Sequence, residues 1–197
     1  MKELIIATKN AHKAAEIAAI LPPDCVIRTL ADYPHLPAAE ETGSSFAENA
    51  AQKALALSAR VQGRVLADDS GLCVDVLGGQ PGIYSARYAG VHGDDAANNR
   101  KLLAELSGLQ ARAPFSARFV CALCLAEGGR VLSEFQGTLE GRITLHPRGT
   151  HGFGYDPLFV PQGYAQETLA ELPAEVKNRI SHRARALALL ADWWRTA

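Results

Sequence analysis

The sequence predicts a protein that contains both β-strands and α-helices, and three segments carry this prediction. Leu4–Ala7 is a short apolar run typical of a buried strand, and an amphipathic stretch follows it after a polar loop. Two further strand-like runs, 117–125 and 130–137, flank Glu127-Gly128-Gly129, which predicts a β-hairpin. From Ile180 to Trp194 apolar residues recur at helical spacing, so we expect a C-terminal helix.

Composition limits the classes of protein to consider. A chain of 197 residues, 48% of them hydrophobic, is long enough to form one domain, or one domain with two lobes, around its own core. The formal net charge of -1 argues against a general nucleic-acid binder or a protein of the membrane surface. The sequence has no apolar run of ~18 residues. Met1–Ala7 is too short for a signal peptide, so we expect a cytoplasmic protein.

Two of the four cysteines, Cys121 and Cys124, have the C-x-x-C spacing of a redox or zinc half-site. They fall within a predicted strand, where residues three apart point to opposite faces. No second C-x-x-C and no paired histidines follow. We therefore interpret all four cysteines as small buried apolar residues in a reducing compartment.

A polar loop, 8–13, joins the first strand to the first helix and carries two cations, Lys9 and Lys13. The helix is predicted from its apolar stripe and ends at Pro22-Pro23. A loop in this position aims backbone N–H groups and the positive end of the helix dipole at an anion. The other interpretation is a capped helix with two surface lysines.

The next predicted elements are a short strand at 25–27, a loop at 31–42 and a second helix. Ser45, with Glu48 three residues later, is the signature of a capping box at the start of that helix. We expect the helix to continue to about Arg60.

An acidic pair, Asp68 and Asp69, follows the apolar run 65–67, which is predicted to be the end of a buried strand. Two carboxylates there need a cation, and Mg²⁺ fits because it takes oxygen ligands and keeps waters for a phosphate substrate. The other interpretation is a turn in which Asp69 or Ser70 binds its own backbone. Adjacent strand residues point to opposite faces, so at most one of the pair is expected to ligate a metal directly.

The second half of the chain contains further helices and a glycine-rich loop. Asp94-Asp95 is predicted to open a helix that Gly108 closes, and a short strand is predicted at 158–160. The glycines of the loop 149–157 allow its backbone to approach a ligand closely. A helical segment is predicted to begin at Pro173.

Three polar clusters lie outside the apolar stripes. The acidic cluster consists of Glu40, Glu41, Asp68 and Asp69, and the cationic cluster of Lys9, Lys13 and Lys53. The mixed cluster consists of Phe153, Tyr155, Asp156, Lys177, His182 and Arg183. Carboxylates with lysines are typical of a metal–polyphosphate site, and an aromatic ring beside donors is typical of a base pocket. The three clusters together indicate an enzyme that acts on a nucleoside triphosphate.

Seven motifs, in order along nearly the whole chain, resemble those of the inosine/xanthosine triphosphate pyrophosphatase family. They are Ala7-Thr8-x-Asn10-x-x-Lys13, Glu40-Glu41-Thr42-Gly43, Ser45-Phe46-x-Glu48-Asn49-Ala50-x-x-Lys53-Ala54, Ala67-Asp68-Asp69-Ser70-Gly71-Leu72, Pro81-Gly82-Ile83-Tyr84-Ser85-Ala86-Arg87-Tyr88, Gly152-Phe153-Gly154-Tyr155-Asp156-Pro157 and Ile180-Ser181-His182-Arg183. Any one of them alone is a weak signal, whereas seven in the family's order are specific.

The resemblance implies an enzyme that hydrolyses non-standard purine nucleoside triphosphates, such as ITP, dITP and XTP, between the α and β phosphates, with Mg²⁺ as cofactor. It implies Asp69 as the acceptor of a proton from the attacking water, and Glu40 and Asp69 as metal ligands. The residues implied to contact the substrate's phosphates are Thr8, Lys9, Asn10, Ala11, His12, Lys13 and Lys53. Ser70 is also implied to contact the substrate. The implied base contacts are Phe153, Gly154, Tyr155 and Asp156, with Lys177, His182 and Arg183 as donors to the base edge.

The fold that the resemblance implies is α/β: a long, twisted, mixed β-sheet with flanking helices that form two lobes around a central cleft. It implies a single domain over residues 1–197 that commonly forms a homodimer, with no nucleic-acid or membrane partner. Lys9 stands where the family often has glycine. Two other functions stay open: a pyrophosphatase for modified pyrimidine triphosphates, which the edge donors disfavour, and a regulatory nucleotide-binding module, which would not need Asp69.

Overall fold

The computed structural model describes residues 2–22, 25–37, 39–109 and 114–196. The strands within these ranges are β1 (Lys2–Ile6), β2 (Cys25–Thr29), β3 (Arg64–Val74), β4 (Phe115–Glu127), β5 (Arg130–Ile143) and β6 (Phe159–Pro161). The α-helices are α1 (Ala11–Ile20), α2 (Phe46–Ser58), α3 (Asp95–Ser107), α4 (Ala174–Ile180) and α5 (His182–Thr196). Pro23, one of the two prolines predicted to end the first helix, lies outside the described residues.

The six strands form one sheet in the order β2-β1-β3-β4-β5-β6. β1 pairs in parallel with both β2 and β3, whereas β5 and β6 are antiparallel. The sheet is therefore mixed and has helices packed against it, so the predicted α/β class is confirmed. β4 and β5 are neighbours joined at Gly128-Gly129, as the predicted hairpin requires.

Strand β3 is longer than the sequence predicts. The prediction that it ends at Ala67 is wrong, because the strand continues through Asp68, Asp69 and Ser70 to Val74. The acidic pair is thus held in regular extended backbone, and the turn interpretation of this segment is excluded. The carboxylates do not interrupt the strand because side chains from neighbouring elements neutralise and hydrogen-bond them, as described below.

The chain divides into two compact units. One comprises Met1–Asp69, Cys121–Gly137 and His182–Ala197, and the other comprises Ser70–Val120 and Thr138–Ser181. We call them the acidic-pair unit and the Phe153 unit. The predicted arrangement of two lobes in a single domain stays a prediction.

The core of the acidic-pair unit lies on two faces of the sheet, and alternation along the strands sorts residues between them. Leu66 packs with α1 and α5 through Ile17 and Leu187. Val65 and Ala67 pack on the other face with residues of α2. By the same alternation, Asp68 belongs to the face of α1 and α5, and Asp69 to the face of α2.

The cysteines follow this division. Cys121 packs with the α1 and α5 cluster and Cys124 with the α2 cluster, so the predicted opposite facing of the C-x-x-C pair is confirmed. Cys73, Cys121 and Cys124 carry free thiols, and burial raises the pKa of Cys124 to about 12. The prediction that all four are buried is wrong for Cys25 and Cys73, which are only half-buried.

The Phe153 unit has its own apolar core, in which α3 contributes Leu102 and Leu106. The rings of Phe119 and Phe159 pack at a centroid distance of 4.7 Å. Helix α3 begins after Asp94, whose side chain accepts the Ala97 N–H, and it ends at Gly108 as predicted. In the described part of the chain, no helix is both long and apolar enough to cross a membrane.

Candidate active site

The loop between β1 and α1 is organised by its own side chains. Asn10 caps α1, and its Oδ1 accepts the N–H groups of His12 at 2.9 Å and Lys13 at 3.1 Å. The Asn10 N–H donates to the Oγ1 of Thr8 at 3.1 Å. Lys9, Asn10, Ala11 and His12 are exposed, and Thr8 is half-buried. Asn10 therefore already satisfies two of the helix N–H groups that the predicted phosphate loop would offer to an anion.

Asp68 is the centre of a buried ionic cluster. Its Oδ1 accepts from Lys13 Nζ at 2.6 Å, and its Oδ2 accepts from Arg183 Nε at 2.8 Å and from Cys121 Sγ at 3.2 Å. Asp68 is 2% exposed and Arg183 is 1% exposed. Arg183 also pairs with Glu16 through a second nitrogen. One carboxylate thus joins α1, β3, β4 and α5.

The electrostatics of this cluster keep Asp68 ionised. Burial acts to raise the pKa of Asp68, but the charges and hydrogen bonds of Arg183 and Lys13 outweigh it and hold that pKa well below its ordinary value. A carboxylate with a low pKa is a weak base at neutral pH. Asp68 is therefore suited to hold Lys13 and Arg183 in place and unsuited to accept a proton.

Asp69 has different surroundings on the opposite face of β3. Its Oδ1 accepts from Lys53 Nζ at 2.9 Å, and its Oδ2 accepts from Asn49 Nδ2 at 3.2 Å. Lys53 also donates to Glu41 at 2.7 Å. Asn49 and Lys53 lie four residues apart on α2 and share one face, as their spacing predicts.

The pKa of Asp69 is raised, because burial outweighs the opposing charges of Lys53 and Lys13, and Glu41 adds repulsion. The pKa of Lys53 is also raised: burial alone would lower it, but Asp69 and Glu41 together stabilise the ammonium. Asp69 is thus a buried carboxylate shifted towards neutrality, which is the property expected of a general base.

This site could hold a divalent cation only if water and substrate phosphates supplied most of its ligands. Glu41 and Asp69 converge on the Lys53 ammonium, whereas Glu40, the predicted ligand, is exposed. Among the described residues, no group of three or more His, Cys, Asp or Glu side chains is arranged to hold a metal ion. Mg²⁺ is commonly held by one or two carboxylates with waters and substrate phosphates, and this donor set matches that habit.

The Phe153 unit brings together the predicted base contacts of the loop 152–156. Asp156 Oδ2 accepts the Phe153 N–H at 2.9 Å and pairs with Lys177. Lys177 Nζ lies 4.7 Å from the centroid of the Phe153 ring. Gly152 adopts a φ of +76°, and a Cβ there would lie 2.0 Å from Asp156 Oδ2, so only glycine fits.

Two residues of that loop have partners that the sequence did not indicate. The side chain of Tyr155 belongs to the core and donates its hydroxyl hydrogen to the Ser85 carbonyl at 2.9 Å, so its predicted base contact would have to come from the backbone. The backbone of Gly154 is bound on both sides by α3, through Asp95 at 2.7 Å and Asn99 at 2.9 Å. The helix start at Asp94-Asp95 was visible in the sequence, but its contact with this loop was not.

The remaining predicted residues are distributed over both units. Ser70 is half-buried within β3 and opens the Phe153 unit. His182 and Arg183 begin α5 in the acidic-pair unit, where both are buried. The Arg183 guanidinium binds Asp68 and Glu16. Its donation to a base edge stays a prediction. Two carboxylates draw the Arg183 side chain into the core, and the spacing Ser-His-Arg gives no sign of them.

Comparison with known proteins identifies the family. The sequence profile of the Ham1 family matches residues 4–193. The chain belongs to the Ham1 family. Two curated relatives of this Ham1-family chain are both named dITP/XTP pyrophosphatase. The one from Shouchella clausii is 48% identical over 98% of this chain and 96% of its own length. The one from Bacillus subtilis is 47% identical over 97% and 96%.

Solved structures agree with this assignment. The Ham1 protein of Staphylococcus aureus superimposes with a TM-score of 0.86 at 39% identity, covering 99% of each chain. A Ham1 protein from Coxiella burnetii gives a TM-score of 0.89 at 38% identity over 100% of each chain. The mixed-sheet α/β architecture is therefore the fold of this family, and the resemblance stated from the seven motifs is confirmed.

Proposed function

We propose that this Ham1-family protein hydrolyses non-standard purine nucleoside triphosphates (ITP, dITP and XTP) to the nucleoside monophosphate and pyrophosphate, and so removes them from the nucleotide pool. The name dITP/XTP pyrophosphatase, carried by relatives of about half-identical sequence, supports the substrate class. The observation that carries the proposal is a buried acidic pair bracketed by two lysines, in which the pKa of Asp69 is raised and that of Asp68 is lowered.

The charges of the acidic-pair unit suit a triphosphate. In the free protein, Lys13 is neutralised by Asp68, and Lys53 by Asp69 and Glu41. A triphosphate brings roughly four negative charges at neutral pH, and both ammonium groups can share contacts with it while the carboxylates keep them in place.

The reaction adds water across the bond between the α and β phosphates. The oxygen of water bonds to the α phosphorus, the bond to the bridging oxygen breaks, and pyrophosphate leaves with that oxygen. Asp69 takes the proton of the water, and its raised pKa favours this transfer. Lys53 and Asn49 hold the carboxylate of Asp69 in orientation for this step.

We include Mg²⁺ in the proposal, with Asp69 and either Glu41 or Glu40 as its protein ligands. When bound, the ion would neutralise phosphate charge and lower the pKa of a coordinated water. The chemistry of the donor set supports it, because these acidic side chains leave positions for water and phosphate oxygens.

The base would be held by the Phe153 unit. The Phe153 ring is half-buried and would stack on the base, and Lys177, which lies over the ring, would donate to the oxygen at C6 of hypoxanthine or xanthine. Adenine carries an amino group at that position, so it would leave the donor unpaired. Sites that read hydrogen bonds in this way discriminate by ~10⁴ or more. We also propose that the protein is a homodimer in the cytoplasm. The free thiols of Cys73, Cys121 and Cys124 agree with a reducing compartment.

One assay tests this proposal. Pyrophosphate release is measured from ITP, dITP, XTP and the standard nucleoside triphosphates, each with and without Mg²⁺. We expect release from the first three, at rates far above those of the standard set, and only with Mg²⁺. Equal rates on the standard set would contradict the purine selectivity, and faster release from modified pyrimidine triphosphates would favour that other substrate class. Binding without any release would support a regulatory module.

A further inference from the structure

Helix α3 holds the backbone of the loop that carries Phe153. The Gly154 N–H donates to Asp95 Oδ2 at 2.7 Å, and the Gly154 carbonyl accepts from Asn99 Nδ2 at 2.9 Å. Asp95 and Asn99 are four residues apart and therefore share one face of α3. Both polar groups of a single glycine are thus bound by two side chains of one helix.

We propose that Asp95 and Asn99 are positioning residues that fix the loop 152–156 and thereby set how tightly the enzyme binds the purine base. This inference rests on the proposed function, because it assigns the loop to the base. It adds two residues that lie outside the motifs from which the site was predicted, and it assigns their effect to binding and not to the chemical step.

The loop requires this support because its glycines give the backbone a wide choice of conformations. Gly152 and Gly154 have φ values of +76° and +63°, which glycine reaches without strain. The same freedom gives the unbound loop many other conformations, and ordering them during binding would weaken affinity. Two hydrogen bonds to a helix order the loop before the ligand arrives.

The support acts directly beside the ring that is proposed to stack. Phe153 precedes Gly154, and its own N–H is bound by Asp156, which also pairs with Lys177. Releasing Gly154 from α3 therefore frees one side of Phe153 while Asp156 still holds the other. We expect the ring to sample more orientations and the base to stack less well.

Asn99 shows that this position does more than fill space. Its Oδ1 is buried and has no hydrogen-bond partner within the described residues, whereas its Nδ2 binds Gly154. Burying an acceptor without a partner costs stability, and an apolar side chain would avoid that cost. The hydrogen bond from Asn99 Nδ2 to the Gly154 carbonyl offsets this cost.

Steady-state kinetics on ITP test the inference with a small set of variants. We expect Asp95→Ala and Asn99→Ala each to raise KM roughly five- to tenfold, the effect of losing one hydrogen bond, with kcat within about twofold of wild type. Asp95→Asn keeps an acceptor oxygen and should restore KM to within about threefold of wild type. Arg100→Ala, an exposed change on α3, is the matched control and should leave both constants unchanged.

Because both side chains hold the same glycine, the double variant should raise KM less than the product of the two single effects. A fall in kcat with unchanged KM in both alanine variants would overturn the inference, since that is the result of general loss of folded enzyme. Full additivity together with no rescue by Asp95→Asn would overturn it as well.

Amide hydrogen exchange, followed by NMR without substrate, tests the same contact independently of catalysis. The Gly154 amide should exchange at least about tenfold faster in Asp95→Ala than in wild type, and unchanged exchange would overturn the inference. If wild-type protein released no pyrophosphate from ITP, the proposed function would fail. The inference would then be decided by this exchange measurement and by calorimetric binding of IMP, which must weaken in the alanine variants.

Discussion

Asp68 and Asp69 are neighbours in sequence, yet their surroundings give the two carboxyl groups opposite properties. Arg183 and Lys13 hold the pKa of Asp68 well below its ordinary value against the effect of burial. Burial prevails at Asp69 and raises its pKa although Lys53 lies 2.9 Å away. The first carboxylate is therefore suited to an ionic anchor, and the second to a base.

Replacing Asp69 with Asn should remove catalysis without harming the fold. We expect turnover to fall at least ~10²-fold, because a general base is lost. The thermal midpoint should stay near that of wild type or rise, because a buried charge disfavoured by its surroundings is removed. Calorimetry and pyrophosphate release provide the two measurements, with Asp192→Asn on the exposed face of α5 as control. Retained turnover would place the proton acceptor elsewhere.

Replacing Asp68 with Asn should have the opposite outcome for stability. The variant leaves Arg183 buried with its main counter-charge removed, and breaking a buried pair costs ~3 kcal/mol or more. For a chain of this size that corresponds to a fall in Tm of roughly 6–12 °C. Differential scanning calorimetry on this variant beside Asp69→Asn compares two isosteric changes at adjacent positions. Equal midpoints would contradict the assigned difference.

Among the secondary-structure elements, α2 and the loop before it are joined by side-chain hydrogen bonds. Gly43 donates its N–H to Asn49 at 2.8 Å, and Thr42 donates its N–H to Gln52 at 3.1 Å. These contacts seat the loop so that Glu41 reaches Lys53. The spacing of Asn49 and Lys53 on α2 was predictable because helical geometry fixes it. Which of Glu40 and Glu41 pairs with Lys53 was not predictable, because it depends on where the loop is held.

The two glutamates can be compared directly. Glu41→Gln should raise the Mg²⁺ concentration needed for half-maximal activity by roughly tenfold, because it removes a charged oxygen beside Asp69 and Lys53. Glu40→Gln should have a much smaller effect, since that side chain is exposed. Magnesium titrations of pyrophosphate release provide the measurement. The reverse order of effects would support Glu40 as the metal ligand.

Phe153, in the loop 152–156, is expected to contribute to substrate binding and not to the chemical step. Phe153→Ala should raise KM for ITP by roughly tenfold and leave kcat nearly unchanged, because stacking stabilises ground and transition states alike. Phe153→Trp preserves a stacking surface and should remain close to wild type. Initial-rate kinetics distinguish these outcomes. An unchanged KM in the alanine variant would remove Phe153 from the base site.

At the scale of the whole molecule, the anchor at Asp68 should govern acid stability. Its folded-state pKa is lowered, so its contribution is complete above the ordinary value of 3.8 and is lost as pH falls towards the folded-state value. Asp69, with a raised folded-state pKa, contributes in the opposite sense. Wild-type Tm should therefore fall steeply below about pH 4, and Asp68→Asn should show a lower and flatter profile that converges with wild type at low pH.

That profile is measured by calorimetry from pH 8 down to about pH 1 for wild type and Asp68→Asn. Curves that run parallel throughout would show that the stability of the Asp68 cluster does not depend on ionisation of this carboxylate.

Sequence patterns predicted those parts of the molecule that depend on local periodicity. The first strand was predicted at Leu4–Ala7 from its apolar run and is observed at Lys2–Ile6. The helix that begins after Asp94 and the opposite facing of Cys121 and Cys124 follow from local sequence patterns in the same way. The extent of β3 was not predictable, because the cations that allow Asp68 and Asp69 to remain in a buried strand come from α1, α2 and α5.

The register between β1 and β3 has a consequence for how this chain tolerates insertions. Ile6 opposes Leu66, and this pairing determines which face of the sheet each later residue of β3 occupies. One residue added between Leu66 and Asp68 would exchange the faces of the two carboxylates. Asp68 would then face Lys53, and Asp69 would face Lys13 and Arg183. The same residue added in the turn at 59–63 would leave both in place. Length variation is therefore compatible with activity in the turn at 59–63 and incompatible with it between Leu66 and Asp68.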